Sequence, residues 1–309
     1  MKCLVLGGGG FIGSAIADRL LTAGHFVRVF ERPRVMPYRL FGPSEDVEWV
    51  TGDLLSTSDI AESLVGIDTV FHLVSTTLPK GSNDDPVYDV QSNLVGTLQI
   101  LGLMTQKKTS RIVFISSGGT VYGPPVYAPI DEQHPTNPQV SYGITKLAIE
   151  KYILLFERIH GIKSVILRLS NPYGERQRVE TAQGAVAVFL QRALQGRPIE
   201  IWGDGSVTRD YVYIGDVADA FLRAAEYQGP LSVFNIGSGR GTSLSDLLVM
   251  LEKVLGHAIE RQYLPARSFD VKLNVLDAAL AQRELNWSPR VQMDEGLART
   301  ADWIKRELP

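Results

Sequence analysis

Residues 2–13 read Lys2-Cys3-Leu4-Val5-Leu6-Gly7-Gly8-Gly9-Gly10-Phe11-Ile12-Gly13. Lys2–Leu6 is a short apolar run, the pattern of a buried strand. Four glycines break it. Residues 11–23 then carry Phe11, Ile12, Ala15, Ile16, Leu20 and Leu21 at helical spacing, and Gly24 stops the helix. The glycines fit two spacings, Gly7-x-x-Gly10-x-x-Gly13 and Gly8-x-Gly10-x-x-Gly13. Either one lets a pyrophosphate approach the backbone at a helix amino end, where free N–H groups and partial positive charge favour an anion. A bare glycine turn would use the same residues. The context favours a dinucleotide: a strand before, a helix after, and an acidic residue closing the next strand at 26–30.

That residue is Glu31, 21 positions beyond Gly10. A carboxylate there accepts hydrogen bonds from ribose hydroxyls and repels a 2′-phosphate, which favours NAD over NADP. Arg32 beside it is the kind of residue that accommodates such a phosphate. Asp53, in Gly52-Asp53-Leu54, suits an adenine amino group with Leu54 against the ring, or simply a helix cap.

The strand–helix alternation continues outward. Val47–Thr51, 69–74, 111–116 and 164–169 read as strands, and 59–65, 87–104 and Ser141–His160 as helices. All these strands read as continuous apolar runs, as for strands buried on both faces. The implied fold is α/β, a Rossmann-type doubly wound parallel sheet with a smaller C-terminal substrate lobe. Beyond about Ser170 the rhythm changes. Residues 171–181 look irregular, 183–195, 216–227 and Leu244–Leu255 helical, 200–205 strand to turn, and Val233–Ile236 one more sheet strand. The expected division is 1–170 for the nucleotide-binding lobe, with a return at 206–236, and 171–205 plus 237–309 for the substrate lobe.

Composition narrows the partners. With 31 basic and 34 acidic residues among 309, the net charge is −3, which argues against a nucleic-acid surface. No segment has the length and apolarity of a membrane span. The single cysteine, Cys3, excludes an internal disulfide and fits a reducing cytoplasm. His72 has no second histidine at ligand spacing, so no metal site is expected.

Ligands of such sheets lie at the carboxyl ends of the strands. The strand at 111–116 ends in Ser116-Ser117-Gly118-Gly119-Thr120-Val121-Tyr122-Gly123. Next comes Tyr142-x-x-x-Lys146 on a helix, with both side chains on one face. Tyr142 suits a general base or acid, with the Lys146 ammonium stabilising its phenolate. Leu73, Val74, Ser75, Asn93, Ser116 and Ser170 complete the candidate cofactor set, and Thr76 joins the substrate set.

At this point the chain resembles the extended short-chain dehydrogenase/reductase family, in particular its NAD-dependent nucleotide-sugar epimerases and dehydratases. The resemblance rests on Gly7-x-x-Gly10-Phe11-Ile12-Gly13, Gly52-Asp53, Ser116-Ser117 through Val121-Tyr122-Gly123, Tyr142-x-x-x-Lys146 and Asn171-Pro172-Tyr173-Gly174. Gly203-Asp204-Gly205, Arg209-Asp210-Tyr211 and Arg267-x-x-Asp270 extend it. It implies that Arg209 and Arg267 grip a diphosphate, Asp270 the nucleoside ribose, and Asn171 the diphosphate or sugar. Gln183 and Trp202 would lie near the base, and Asn274 beside the C2 substituent of the sugar. It also implies a homodimer that pairs the two long helices.

One position departs from the family pattern. The usual catalytic Ser/Thr, four residues before Tyr122, is Gly118 here. The aligning hydroxyl must come from Ser117, Thr120 or the Ser75–Thr77 segment. Dehydratases and decarboxylases of the family carry an acid between that Ser/Thr and the Val-Tyr-Gly, where this chain has Gly119 and Thr120. The reading is therefore a UDP-hexose 4-epimerase, with glucose/galactose and, on the strength of Asn274, their N-acetylated forms as expected substrates. A dehydratase or decarboxylase, a reductase, and a catalytically impaired NAD-binding protein are the alternatives.

Overall fold

A computed structural model describes residues 1–42, 44–79, 81–177, 184–266 and 271–307. In chain order the first lobe runs β1 (Lys2–Leu6), α1 (Phe11–Thr22), β2 (Phe26–Glu31), β3 (Val47–Thr51), α2 (Thr57–Ser63) and β4 (Thr69–His72). It continues with α3 (Pro86–Asp89), a π-helical turn (Val90–Val95), α4 (Gly96–Lys107), β5 (Arg111–Ser117), α5 (Ser141–His160) and β6 (Lys163–Leu169). The long helix expected at 87–104 is therefore interrupted by the π turn.

A seven-stranded parallel sheet has the order β10-β6-β5-β4-β1-β2-β3, with β10 being Val233–Ile236. From β1 the chain moves out to β2 and β3, then crosses back to β4. The reversal between β1 and β4 opens a crevice at their carboxyl ends. Helices cover both faces. Ile16 and Leu20 of α1 are fully buried on one side, and Ile100 and Ile149 of α4 and α5 nearly so on the other. Cys3 lies in this core with no exposed surface. One expectation needs correcting: β3 is not buried on both faces. It is the sheet edge, and Glu48 and Trp49 are exposed.

The second lobe contains β7 (Asn171–Tyr173), α6 (Ala185–Leu194), β8 (Ile199–Trp202) and β9 (Thr208–Tyr213). The chain then returns through α7 (Ile214–Glu226), which packs on α1, to β10. It leaves again as β11 (Gly241–Ser243), α8 (Leu244–Leu255), β12 (Arg261–Leu264), β13 (Leu273–Asn274), α9 (Ala279–Leu285) and α10 (Met293–Glu307). Around β9 pair β7, β11 and β13, while β8 pairs β12. Residues 171–173, expected to be irregular, thus form a strand, because β9 lies alongside to take their backbone hydrogen bonds. Among the described residues no helix is long and apolar enough to cross a membrane.

Candidate active site

The amino end of α1 faces the crevice. Gly7 adopts φ +84° and Gly10 donates to its carbonyl at 3.2 Å, closing a tight turn. A Cβ on Gly13 would stand 2.1 Å from the Gly7 oxygen, so only glycine lets helix and turn approach this closely. A Cβ on Gly10 would meet only that same oxygen, at 3.5 Å, so this side of the turn is open. No side chain caps α1, and its first turn carries no acid. The free N–H groups therefore look into a cleft of about 440 Å³, whose walls include Gly10, Phe11, Ile12, Ser75, Ser117, Tyr142 and Lys146.

Glu31 accepts from the Gly9 N–H at 3.3 Å and the Arg32 N–H at 3.0 Å, which fixes its carboxylate beside the glycine turn. Arg32 points to solvent. Asp53 is exposed and accepts from the Leu55 N–H, while Leu54 is buried. Leu73 lines the cleft, and the Val74 side chain packs on Gly7. The hydroxyl of Ser170 and the Oε1 of Gln177, both on cleft-lining residues, are buried without a hydrogen-bond partner. An uncapped helix end, a glycine cradle and unpaired polar atoms on residues of one cleft fit a dinucleotide with an amide-bearing ring.

Tyr142 and Lys146 sit on the first turns of α5, at the cleft wall. The Lys146 ammonium donates to the Ile115 carbonyl at 3.0 Å and lies 4.7 Å from the Phe114 ring centroid and 5.7 Å from that of Tyr142. Burial pulls this lysine down to about 8, against the charges of Asp89 and Glu150. Burial pushes the Tyr142 phenol up to about 12; the Asp89 charge adds to this, and the nearby Ser75 hydroxyl opposes it. Ser116 also borders the cleft, but its hydroxyl donates to Glu150 at 2.5 Å, and Glu150 is paired with Arg168 at 2.7 Å. Asn93 is buried, with its amide bonded to the Thr76 N–H and to Asp89.

A second pocket, of about 310 Å³, adjoins the first through Pro172 and is bordered by Asn171, Trp202, Arg209 and Tyr211. Asn171 donates to the Asp210 carbonyl at 3.0 Å. Arg209 donates to the Val271 carbonyl at 2.6 Å, which ties β9 to the stretch before β13. Gln183, Arg267 and Asp270 lie outside the described residues. Among the described residues no group of His, Cys, Asp or Glu could hold a metal ion.

Residues 3–237 match the family model described as the NAD dependent epimerase/dehydratase family. The chain belongs to this family. It is 37% identical to a putative UDP-glucose 4-epimerase of Methanocaldococcus jannaschii, over 98% of each chain. It is 35% identical to a UDP-glucose 4-epimerase of Mycolicibacterium smegmatis, over 99% of each. Among solved structures, the UDP-glucose 4-epimerase of Thermotoga maritima with UDP-glucose superposes with a TM-score of 0.94 at 35% identity, covering 100% of both chains.

Within this NAD-dependent epimerase/dehydratase frame, Gly118 has a local cause. A Cβ there would stand 2.5 Å from Leu276 Cδ1, and Leu276 is wholly buried. Of the hydroxyls offered in its place, Ser117 borders the cleft beside Tyr142. Thr120 instead packs on Gly143, with its Oγ1 buried and unpaired. Asn274 is 3% exposed, and its amide donates to the Gly118 carbonyl at 3.2 Å, so it sits behind the catalytic loop and does not border either cleft. Sequence reasoning missed Asp89 and Gln177. An isolated acid in a helical stretch and a glutamine after a turn carry no spacing signal.

Proposed function

We propose that the chain is an NAD-dependent UDP-hexose 4-epimerase acting on UDP-glucose and UDP-galactose. The observation that carries this reading is the Tyr142/Lys146 pair at the wall of the cleft that begins at the uncapped end of α1. Tyr142 takes the proton of the sugar 4-hydroxyl and later returns one. Ser117 holds that hydroxyl toward Tyr142. A bound NAD, held at the glycine turn and by Glu31, would supply the hydride acceptor and donor for C4 of the sugar. A phenol at about 12 needs on the order of 7 kcal/mol to ionise near pH 7. Lys146 stands 5.7 Å from the Tyr142 ring centroid, where its ammonium can stabilise a phenolate once formed. A further positive charge beside the phenol, such as an oxidised nicotinamide would supply if bound there, would lower this cost.

No carboxylate stands at Gly119 or Thr120, so the chain lacks the acid that would steer a 4-keto sugar into elimination. Glu31 beside the glycine turn supports NAD over NADP. The diphosphate is assigned to Arg209 with Arg267, the ribose to Asp270, the base region to Trp202 and Gln183, and the sugar to Asn171 and Thr76. A second reading adds N-acetylated sugars. It is supported by a structure 27% identical to this chain, a UDP-N-acetylglucosamine 4-epimerase from Methanobrevibacter ruminantium, with a TM-score of 0.93. A cytoplasmic homodimer completes the proposal.

The test is NMR of the products from purified protein and a panel of UDP-sugars. Interconversion of UDP-glucose and UDP-galactose without net NADH is expected. Tyr142→Phe should keep the fold and bound NAD yet lower turnover at least 100-fold, the span typical of general acid–base catalysis. Near-normal turnover in this variant removes Tyr142 from the mechanism.

A further inference from the structure

Asp89, the last residue of α3, has no exposed surface. One carboxylate oxygen accepts from the Ser141 and Thr145 hydroxyls, both at 2.7 Å. The other accepts from the Thr77 hydroxyl at 2.5 Å and the Asn93 amide at 2.9 Å. Ser141 and Thr145 are four apart on α5 and bracket Tyr142; Lys146 follows directly. Thr77 belongs to the loop after β4 that carries Ser75, which lines the cleft with Tyr142 and donates its hydroxyl to the Thr77 carbonyl at 3.1 Å. Asn93 also holds that loop, by accepting the Thr76 N–H at 2.9 Å. The π turn starts at Val90, and Asp89 and Asn93 bond to each other across it. Such turns frequently mark functional sites.

We infer that Asp89 is a positioning residue for the Tyr142/Lys146 pair. Its buried carboxylate bolts the first turn of α5 to the Ser75–Thr77 loop and sets the charge balance of the pair. The inference rests on the epimerase reading above. Burial pushes the Asp89 carboxyl up, but its hydrogen bonds outweigh this and hold it below the usual carboxylate range, so it stays ionised. Its charge favours protonated Tyr142 and protonated Lys146. Among the described residues the other charged or titratable groups facing the pair are Glu150 of α5, neutralised by Arg168 of β6, and His72 of β4, which burial keeps uncharged. Asp89 is therefore the one unneutralised anion of this set.

The test follows kcat/KM for UDP-galactose against pH with NAD-loaded protein. Asp89→Asn keeps the shape and removes the charge. Its rising limb should move to lower pH by about half a unit or more. Thr145→Val keeps the charge and removes one donor that disperses it, so its limb should move to higher pH. A purely structural role would lower kcat in both variants with the limbs unmoved, and that outcome overturns the inference. Should Asp89→Asn fail to fold, Thr145→Val alone decides by the direction of its limb. A wild type without epimerase activity would instead refute the underlying function.

Discussion

At the scale of single residues, Gly118 shows how a motif position is fixed by its neighbours and not only by its chemistry. Leu276 fills the space a side chain would need, and it is boxed in by Val121, Tyr122 and Ile130. Asn274 holds the same glycine by its carbonyl. Ser117, one residue back, borders the cleft and is the hydroxyl to which the proposed mechanism gives the aligning role. Restoring the family hydroxyl by Gly118→Ser should therefore harm the enzyme. Overpacking a full core costs about 1–3 kcal/mol, a few degrees in melting temperature for a chain of this size. Differential scanning calorimetry and turnover are the checks. A variant of unchanged stability and higher turnover would mean that Leu276 yields freely and that the lost hydroxyl limits the rate.

At the scale of elements, β4 shows what full burial demands. All four of its residues are buried, and His72 ends it against Thr97, with Nε2 2.8 Å from the hydroxyl. Burial, with the nearby Lys146 charge adding, pushes this imidazole down to about 3. In the unfolded chain it titrates near 6.5. Between those values the unfolded state binds a proton that the folded state does not, so stability falls as pH drops below about 6.5. The slope approaches about 1.4 kcal/mol per pH unit within that window. Denaturant midpoints at pH 7 and pH 5 should differ accordingly, and His72→Gln, which cannot titrate, should narrow the gap. An equal gap in both proteins would locate the acid sensitivity elsewhere. The same strands explain what could be read from the sequence. Strands buried on both faces leave continuous apolar runs, so β1, β4, β5 and β6 were visible, as was the glycine cradle between β1 and α1. The strand β9 was not, because Arg209 borders a pocket and Asp210 caps the turn at Ser238, which breaks any apolar run. Strands as short as β11 and β13 have no period to detect. The motifs pointed to Tyr142, Lys146 and Ser117. Asp89 could not be found this way, since its role comes from four donors spread over three segments.

At the scale of the whole molecule, the helices that hold the chemistry also carry exposed apolar residues. Ile144, Tyr152 and Ile159 of α5 are 39–57% exposed, at a spacing that keeps them on one face. Beside them, Val87, Tyr88, Val90 and Val95, from α3 and the π turn, are exposed as well. Isolated exposed apolar residues are ordinary, but a contiguous patch marks a contact surface. Tyr152 and Leu155 border a surface groove of about 430 Å³ on α5, flanked by Lys151 and Arg158. Two copies meeting face to face across a two-fold axis would cover this patch on both, because an isologous contact uses the same surface twice. Light scattering at micromolar concentration should return twice the mass of the chain. Tyr152→Glu with Ile159→Glu places four carboxylates in the joint interface, and desolvating them without partners opposes association. This double variant should run as a monomer with a lower melting temperature. Turnover should fall as well, because the catalytic turn of α5 would lose the packing that steadies it. A monomeric wild type, or a double variant that still dimerises, would mean that the patch serves another contact.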